Sequence, residues 1–314
     1  MSTLVIRSTS LLGLATLLSG CAASVTRPAP VPAGVQRVVQ ASTGATVSFG
    51  TMASAAAQAD VVLFGEQHDD DETHRAELAL LTEIGNRKQQ KVVLSLEMFE
   101  RDVQAVLDAY LAGSLSEADF RTQSRPWPNY VADYRPMVEL AKARGWRVIA
   151  ANVPRRLASI VSRRGLAAVD SLPAADRGFV ARALSCPKDK YYENFVQVMG
   201  GGHGGAGGAP TAGGAATRSP TDLFYEAQCV KDETMAESIV AAMTAGGPGT
   251  TVVHYTGAFH SDYGLGTASR VMRRLPTAKS LVVSAVPTPT PTTADATEFL
   301  PRGQFIILAL RTKP

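Results

Sequence analysis

Val61-Val62-Leu63-Phe64-Gly65-Glu66-Gln67-His68 joins an apolar run to a glycine and then to acid and base side chains. The run is β-branched and unbroken, as expected of a strand buried on both faces of a parallel sheet. Residues 72–87 then read as a helix, with Asp69-Asp70-Asp71 placed to cap its N-terminus and complement its dipole. The same plan recurs downstream. Val92 to Met98 reads as a strand and 101–111 as a helix, followed by helices over 116–124 and 134–144. Trp146 to Ala151 is a strand, and Pro154 opens a helix to Ser162 at a favourable first-turn position. Residues 174–184 and 221–244 read as helices, Thr251 to Thr256 as a strand and 266–274 as a helix. Leu281 to Ala285 and Gln304 to Leu310 complete the strands. The alternation predicts an α/β fold: a mostly parallel sheet flanked by helices, with a functional crevice at the carboxyl ends of the strands.

Composition narrows the class of function. The chain has 314 residues, 31 Lys+Arg against 28 Asp+Glu, and a net charge of +3. A nucleic-acid partner held by phosphate neutralisation would call for a stronger basic excess or a basic run, so that class is set aside. Hydrophobic residues make up 45%, enough for a sizeable core, and three cysteines cannot form a disulfide-dense scaffold.

Residues 1–20 read as a signal peptide, with Arg7 ahead of an apolar stretch from Leu11 to Leu18 that is too short to span a bilayer. Leu18-Ser19-Gly20-Cys21 resembles a bacterial lipobox, which makes Cys21 the lipidated residue and residues 21–45 a tether rich in Ala, Pro, Ser and Thr. Ala22, rather than an aspartate, resembles the sorting signal for the outer membrane. Residues 46–314 are then one α/β domain, interrupted at 200–220 by a glycine-dominated insertion expected to be mobile. In an oxidising compartment Cys186 and Cys229 either pair or remain two buried thiols, and the sequence leaves both open.

The chemistry-bearing residues gather at strand ends. Strand 61–64 leads into Glu66 and His68, strand 92–96 into Glu97, strand 146–151 into Asn152 and Arg155, and strand 251–256 into His260. Gly65-x-x-His68 and Gly257-x-x-His260 share a spacing in which glycine permits a sharp turn and the histidine then faces the crevice. His68, His260, Glu66 and Glu97 could hold a divalent metal such as zinc or manganese, and Glu66 could act as a general base. The plainer alternative is that these groups cap helices and satisfy one another. His74 points either to the rim or to solvent, and His254, inside a strand, reads as a core histidine.

GEQHDDDETHRAEL, LSLEMFERDVQAVLDAYLAG, YRPMVELAKARGWRVIAANVPRR, AQCVKDETMAESI and TGAFHSDYGLG together resemble the ChaN family of haem-binding lipoproteins, within the Tiki superfamily, over roughly residues 45–285. The resemblance implies haem or iron capture at the outer membrane, a tyrosine ligand, two haems held between two subunits and an outer-membrane uptake receptor as partner. Tyr134 and Tyr130 are the candidate ligands, with His260 near by, Arg155, Arg156 and Arg75 for the propionates, and Met98, Phe99 and Phe259 as an apolar wall. The wider superfamily implies instead a metal-dependent hydrolase, a peptidase or esterase, served by the two GxxH turns with Glu66 and Glu97. The absence of CxxCH excludes covalent c-type attachment.

Overall fold

Alternation along the central strands decides the layering. In a computed structural model that describes residues 1, 35–88, 91–202 and 218–311, the elements run in chain order. They are β1 (Val35–Gln40), β2 (Ala45–Val47), α1 (Phe49–Gln58), β3 (Val61–Glu66), α2 (Asp71–Lys88), β4 (Val92–Glu100), α3 (Gln104–Leu111), α4 (Glu117–Ser124), α5 (Arg135–Arg144) and β5 (Arg147–Asn152). There follow α6 (Arg155–Arg164), α7 (Ala174–Arg177), α8 (Lys190–Gly202), α9 (Pro220–Gly246), β6 (Thr251–Gly257), α10 (Gly266–Arg274), β7 (Ser280–Thr288) and β8 (Phe305–Leu310). Val62, Phe64, Leu94, Leu96, Val253 and Tyr255 pack on one face with α1, α2 and α5. Val61, Leu63, Val93 and Val252 pack on the other with α9 and α10. Both faces are apolar, which is why the runs look continuous in sequence.

The strands form one eight-stranded sheet in the order β2-β1-β8-β7-β3-β6-β4-β5. The pairings from β8 through β5 are parallel, and only β1 with β2 and β1 with β8 are antiparallel. The α/β expectation is met. β3, β6 and β4 lie side by side, in register Glu66 with Gly257 and Leu96 with Tyr255, so their carboxyl ends deliver Glu66, Glu97 and the Gly257 turn to one place. At the β5 edge, Gln104 donates to the Val148 carbonyl at 2.9 Å and accepts from the Ala150 amide at 2.7 Å. This side chain covers the edge as a neighbouring strand would.

Three sequence expectations change. The tether cannot reach residue 45, because β1 pairs with β8 from Val35 to Gln40. The helix expected over 174–184 stops at Arg177, whose guanidinium takes the carbonyls of Val180 and Ala181. Beyond it the amides of Ala181 and Arg182 bond to Thr234 and Glu237 of α9 instead of continuing the helix. Of the insertion at 200–220, residues 200–202 end α8, and 203–217 lie outside the described residues, as do the signal peptide, Cys21 and most of the tether. Cys186 and Cys229 are joined by a disulfide, which ties the segment before α8 to α9. Asp70 accepts from the amide of Thr73 at 2.8 Å and from its hydroxyl at 2.9 Å, so the acidic run does cap α2. No helix among the described residues is long and apolar enough to cross a membrane.

Candidate functional site

Because side chains alternate along a strand, Glu66 and Glu97 leave the sheet on opposite faces. Glu66 follows Val62 and Phe64 onto the α2 side, whereas Glu97 follows Val93 and Ser95 onto the α9 side. The site is therefore two clusters meeting over the end of the sheet. His68 lies between them, with Nδ1 against Glu66 at 2.6 Å and Nε2 close to Gly257. A Cβ on Gly257 would stand 2.8 Å from that nitrogen, so the glycine is what lets the imidazole settle there.

On the α2 side, Glu66 Oε1 accepts from His68 and from the hydroxyl of Tyr134. His74 Nδ1 lies 2.8 Å from Glu77 and 3.6 Å from the second oxygen of Glu66. Burial pushes the Glu66 carboxyl up, but hydrogen bonds from His68 and Glu77 and the charges of His74 and His68 outweigh it, and the group sits below its ordinary value. Glu77 goes the other way: burial first, then the Glu66 charge, push it well above the carboxylate range. Two carboxyls this close divide the work of ionising, one charged and one protonated. For His68, burial lowers the value, but the Glu66 hydrogen bond and the Glu97 and Glu66 charges raise it overall.

On the α9 side, Glu97 Oε2 accepts from the Thr256 hydroxyl at 2.6 Å and the Gly257 amide at 2.9 Å. Its other oxygen lies 3.5 Å from His260 Nε2. Burial opposes ionisation here too, yet the charges of His260, His68 and Lys231 hold the Glu97 carboxyl down at about 2. His260 Nδ1 meets Asp232 at 2.7 Å, and Asp232 also accepts from Thr267 and Tyr191, each at 2.8 Å. Burial depresses His260, but Glu97 and Asp232 together raise it. Asp232, His260 and Glu97 thus form a line of acid, base and acid, the arrangement that orients an imidazole and sets its tautomer. His254 accords with its reading as a core residue: Nδ1 bonds Ser95 at 2.9 Å and burial lowers it to about 4.

The sequence expectations fare unevenly. Glu66, His68, Glu97 and His260 come to the same sheet end, but they do not gather around one point. Among the described residues the cluster with ligand atoms all within 4.8 Å is Glu66, His74 and Glu77. Tyr130 and Tyr134 are each 1% exposed, and burial and nearby acids push both hydroxyls up, so neither ring faces a surface cavity. Met98 and Phe99 belong to the core, and Phe259 packs on Tyr191 and Phe195. They build no open apolar wall. Asn152 turns back onto the Val153 amide. Arg75 pairs with Glu72, and Arg156 with Asp176 at 2.8 Å. Arg155 is exposed beside Trp127 on a cavity of about 680 Å³ that also holds Glu100 and Asp102. The ring of His68, its side chain 45% exposed, stands edge-on to Trp127 at 4.6 Å.

Sequence reasoning did not single out Asp232, Glu77, Trp127 or Tyr263. His74-x-x-Glu77 at one-turn spacing was the available signal for the first cluster. Tyr263 follows His260 by three residues, in the motif already quoted. It is 48% exposed, the sole exposed member of the eight tyrosines, and its φ is +63°. It lines a cavity of about 450 Å³ with Met272, Leu281, Val282, Phe305 and Arg302.

A profile of the family described as haem-binding uptake, Tiki superfamily, ChaN matches residues 52–271. The chain belongs to the ChaN family. Among solved structures this ChaN-family chain is similar to ChaN of Campylobacter jejuni, which binds haem cofacially. The two share 15% identity with a TM-score of 0.62 over 87% of this chain and 96% of that one, a likeness of fold. A second similar structure is the type III effector HopBA1, at 12% identity and a TM-score of 0.47, over 84% of this chain and 94% of that one. A curated relative, RETICULATA-RELATED 5 of Arabidopsis chloroplasts, is 25% identical over 62% of this chain, which spans 26% of that protein's length. ChaN membership fits the α/β sheet and its parallel centre.

Proposed function

We propose that this ChaN-family chain is a haem-binding lipoprotein of iron uptake, lipidated at Cys21 and held at the outer membrane. The observation that supports haem most directly is Tyr263. A haem site needs an axial side chain that reaches an open cavity, an apolar wall and a cation for the propionates. Tyr263 supplies the first, Met272, Leu281, Val282 and Phe305 the second, and Arg302 at the rim the third. A cavity of about 450 Å³ lies within the usual range of cofactor pockets. The residues present fit the group, with Tyr263 replacing Tyr134 and Tyr130 as ligand and Arg302 replacing Arg155. Bound haem would supply an iron centre. Tyr263 would hold it through the phenolic oxygen and Arg302 would meet its propionates, and in a homodimer each copy would contribute one such site. An uptake receptor would then take the haem from that site.

The test is a haemin titration of the purified full chain, read in the Soret region. Saturation at one haem per chain is expected, with loss or a marked blue shift of the band in Tyr263→Phe and little change in Tyr134→Phe. An unchanged spectrum in Tyr263→Phe would overturn this ligand. Incorporation of labelled palmitate, lost in Cys21→Ser, checks the anchor.

A second reading, a metal-dependent hydrolase, is favoured by the Asp232–His260–Glu97 line beside the accessible His68. In that reading His260, oriented by Asp232, moves protons at Nε2, and Glu66 serves as base through His68. Hydrolysis of peptide or ester substrates that Glu66→Gln abolishes with the fold intact would support it. Equal background in both proteins would exclude it.

A further inference from the structure

Glu66, His74 and Glu77 take no part in the haem reading, yet they are the most closely gathered donor set among the described residues. All three are buried. Apart from the hydrogen bond that the two carboxyls make with each other, Glu66 Oε2 and Glu77 Oε1 meet no hydrogen-bond partner among the described residues. A buried acceptor with no donor but a neighbouring carboxyl is costly, and Glu66 Oε2 lies 3.6 Å from the His74 imidazole without a hydrogen bond to it.

The imidazole is oriented. His74 Nε2 faces the backbone carbonyl of His68 at 3.2 Å, and a carbonyl can only accept, so Nε2 carries a hydrogen and donates it. Nδ1 is thereby directed at Glu77 Oε2, 2.8 Å away, and Glu66 Oε2, 3.6 Å away. The other oxygen of Glu66 is occupied by the Tyr134 hydroxyl and His68 Nδ1, leaving Oε2 for the shared space. These outer contacts are of the kind that fix metal ligands in place.

We propose that Glu66, His74 and Glu77 form a binding site for one divalent first-row metal ion. One imidazole with two carboxylates and no thiolate suits zinc, manganese or iron(II) rather than soft copper(I). A cavity of about 140 Å³ lined by Asp71, Arg75 and Asp133 brings solvent to His74, the outermost of the three residues, so two of the groups beside it are acidic. The site differs from the set read off the two GxxH turns, since it takes neither His260 nor Glu97, which lie on the opposite face of the sheet. It also stands independently of Tyr263 and haem.

The test is calorimetric titration of the chelator-treated full chain with Mn²⁺ and Zn²⁺, with X-ray absorption of the loaded wild-type protein. One equivalent per chain is expected, coordinated by a single imidazole and oxygen donors. Glu77→Gln should weaken binding by about 10- to 100-fold or more, whereas His260→Gln should leave it within about threefold. Absence of binding by wild type would overturn the site. So would two imidazoles in the absorption spectrum, or loss in His260→Gln with retention in Glu77→Gln, because either gives the ion a ligand set other than this one. Should Glu77→Gln fail to fold by circular dichroism, the wild-type ligand count still decides.

Discussion

Asp262 sits in the turn after β6, immediately before Tyr263, with its carboxyl buried. Burial pushes that carboxyl from 3.8 up to about 7, against the pull of the Ser284 hydroxyl and of Arg302, 3.7 Å away. Oδ1 has no hydrogen-bond donor among the described residues, so ionisation there is poorly compensated. The sign of the effect follows from which state holds the proton. Between pH 4 and 7 the folded chain keeps it and the unfolded chain releases it. Stability from this group is therefore full below about pH 4 and is lost as pH rises through 7. The gap between 3.8 and about 7 corresponds to about 4 kcal/mol at 1.36 kcal/mol per pH unit, an upper figure because Arg302 and water would relax around the charge. Asp262→Asn keeps the shape and cannot ionise. Urea unfolding of both proteins at pH 4.5, 6 and 8 isolates the term, since the other titrating groups are common to both. The variant should gain on wild type by about 2 to 4 kcal/mol between pH 4.5 and 8. Parallel profiles, or a wild type that gains on the variant as pH rises, would refute the reasoning.

Two further perturbations test how the sheet end is built. Gly65→Ala would put a Cβ 2.6 Å from Ser261 Oγ and 2.9 Å from the Ala258 backbone, so the turn carrying His260 must shift. A loss of about 1 to 3 kcal/mol is expected by thermal or urea unfolding, and an unchanged midpoint would show that the turn yields freely. The Cys186–Cys229 disulfide closes a loop of 43 residues, for which the chain-entropy estimate is about 4 kcal/mol. Cys186→Ser with Cys229→Ser should lower the melting temperature and abolish the further drop that reductant causes in wild type.

The central strands were legible because a strand covered on both faces is written as an unbroken apolar run. β1 was not: Val35–Gln40 alternates only briefly within a Pro- and Ala-rich region, and its partner β8 is the last strand of the chain. The sequence brought Glu66, His68, Glu97 and His260 to one sheet end but could not tell which face each would take. That depends on the register of β3 and β4 against β6, strands far apart in the chain. Asp232 looked like one acid among several in KDETM, because an amphipathic-helix reading does not reveal that this turn of α9 faces a histidine. Tyr134 drew attention through its motif, yet a hydroxyl donated to a buried carboxylate and one open to a cavity read alike in sequence. The left-handed backbone at Tyr263 has no sequence mark at all, since the residue is not glycine.

That backbone explains how one short loop serves two directions. A tyrosine at φ +63° is strained by roughly 1 to 2 kcal/mol, and such strain persists only where the surroundings impose it. Here they do so from both sides. On the near side, His260 is held inward by Asp232, and Asp262 is buried near Arg302. On the far side, Gly264 and Gly266 also adopt positive φ, and a Cβ on Gly266 would meet the His260 carbonyl oxygen at 2.7 Å. With His260 and Asp262 both drawn into the protein, the residue after Asp262 must face out, and the turn back into α10 leaves it no extended alternative. Exposure of Tyr263 is thus a consequence of the buried acids behind it. The group that costs the fold stability above pH 7 is the same one that presents the proposed haem ligand.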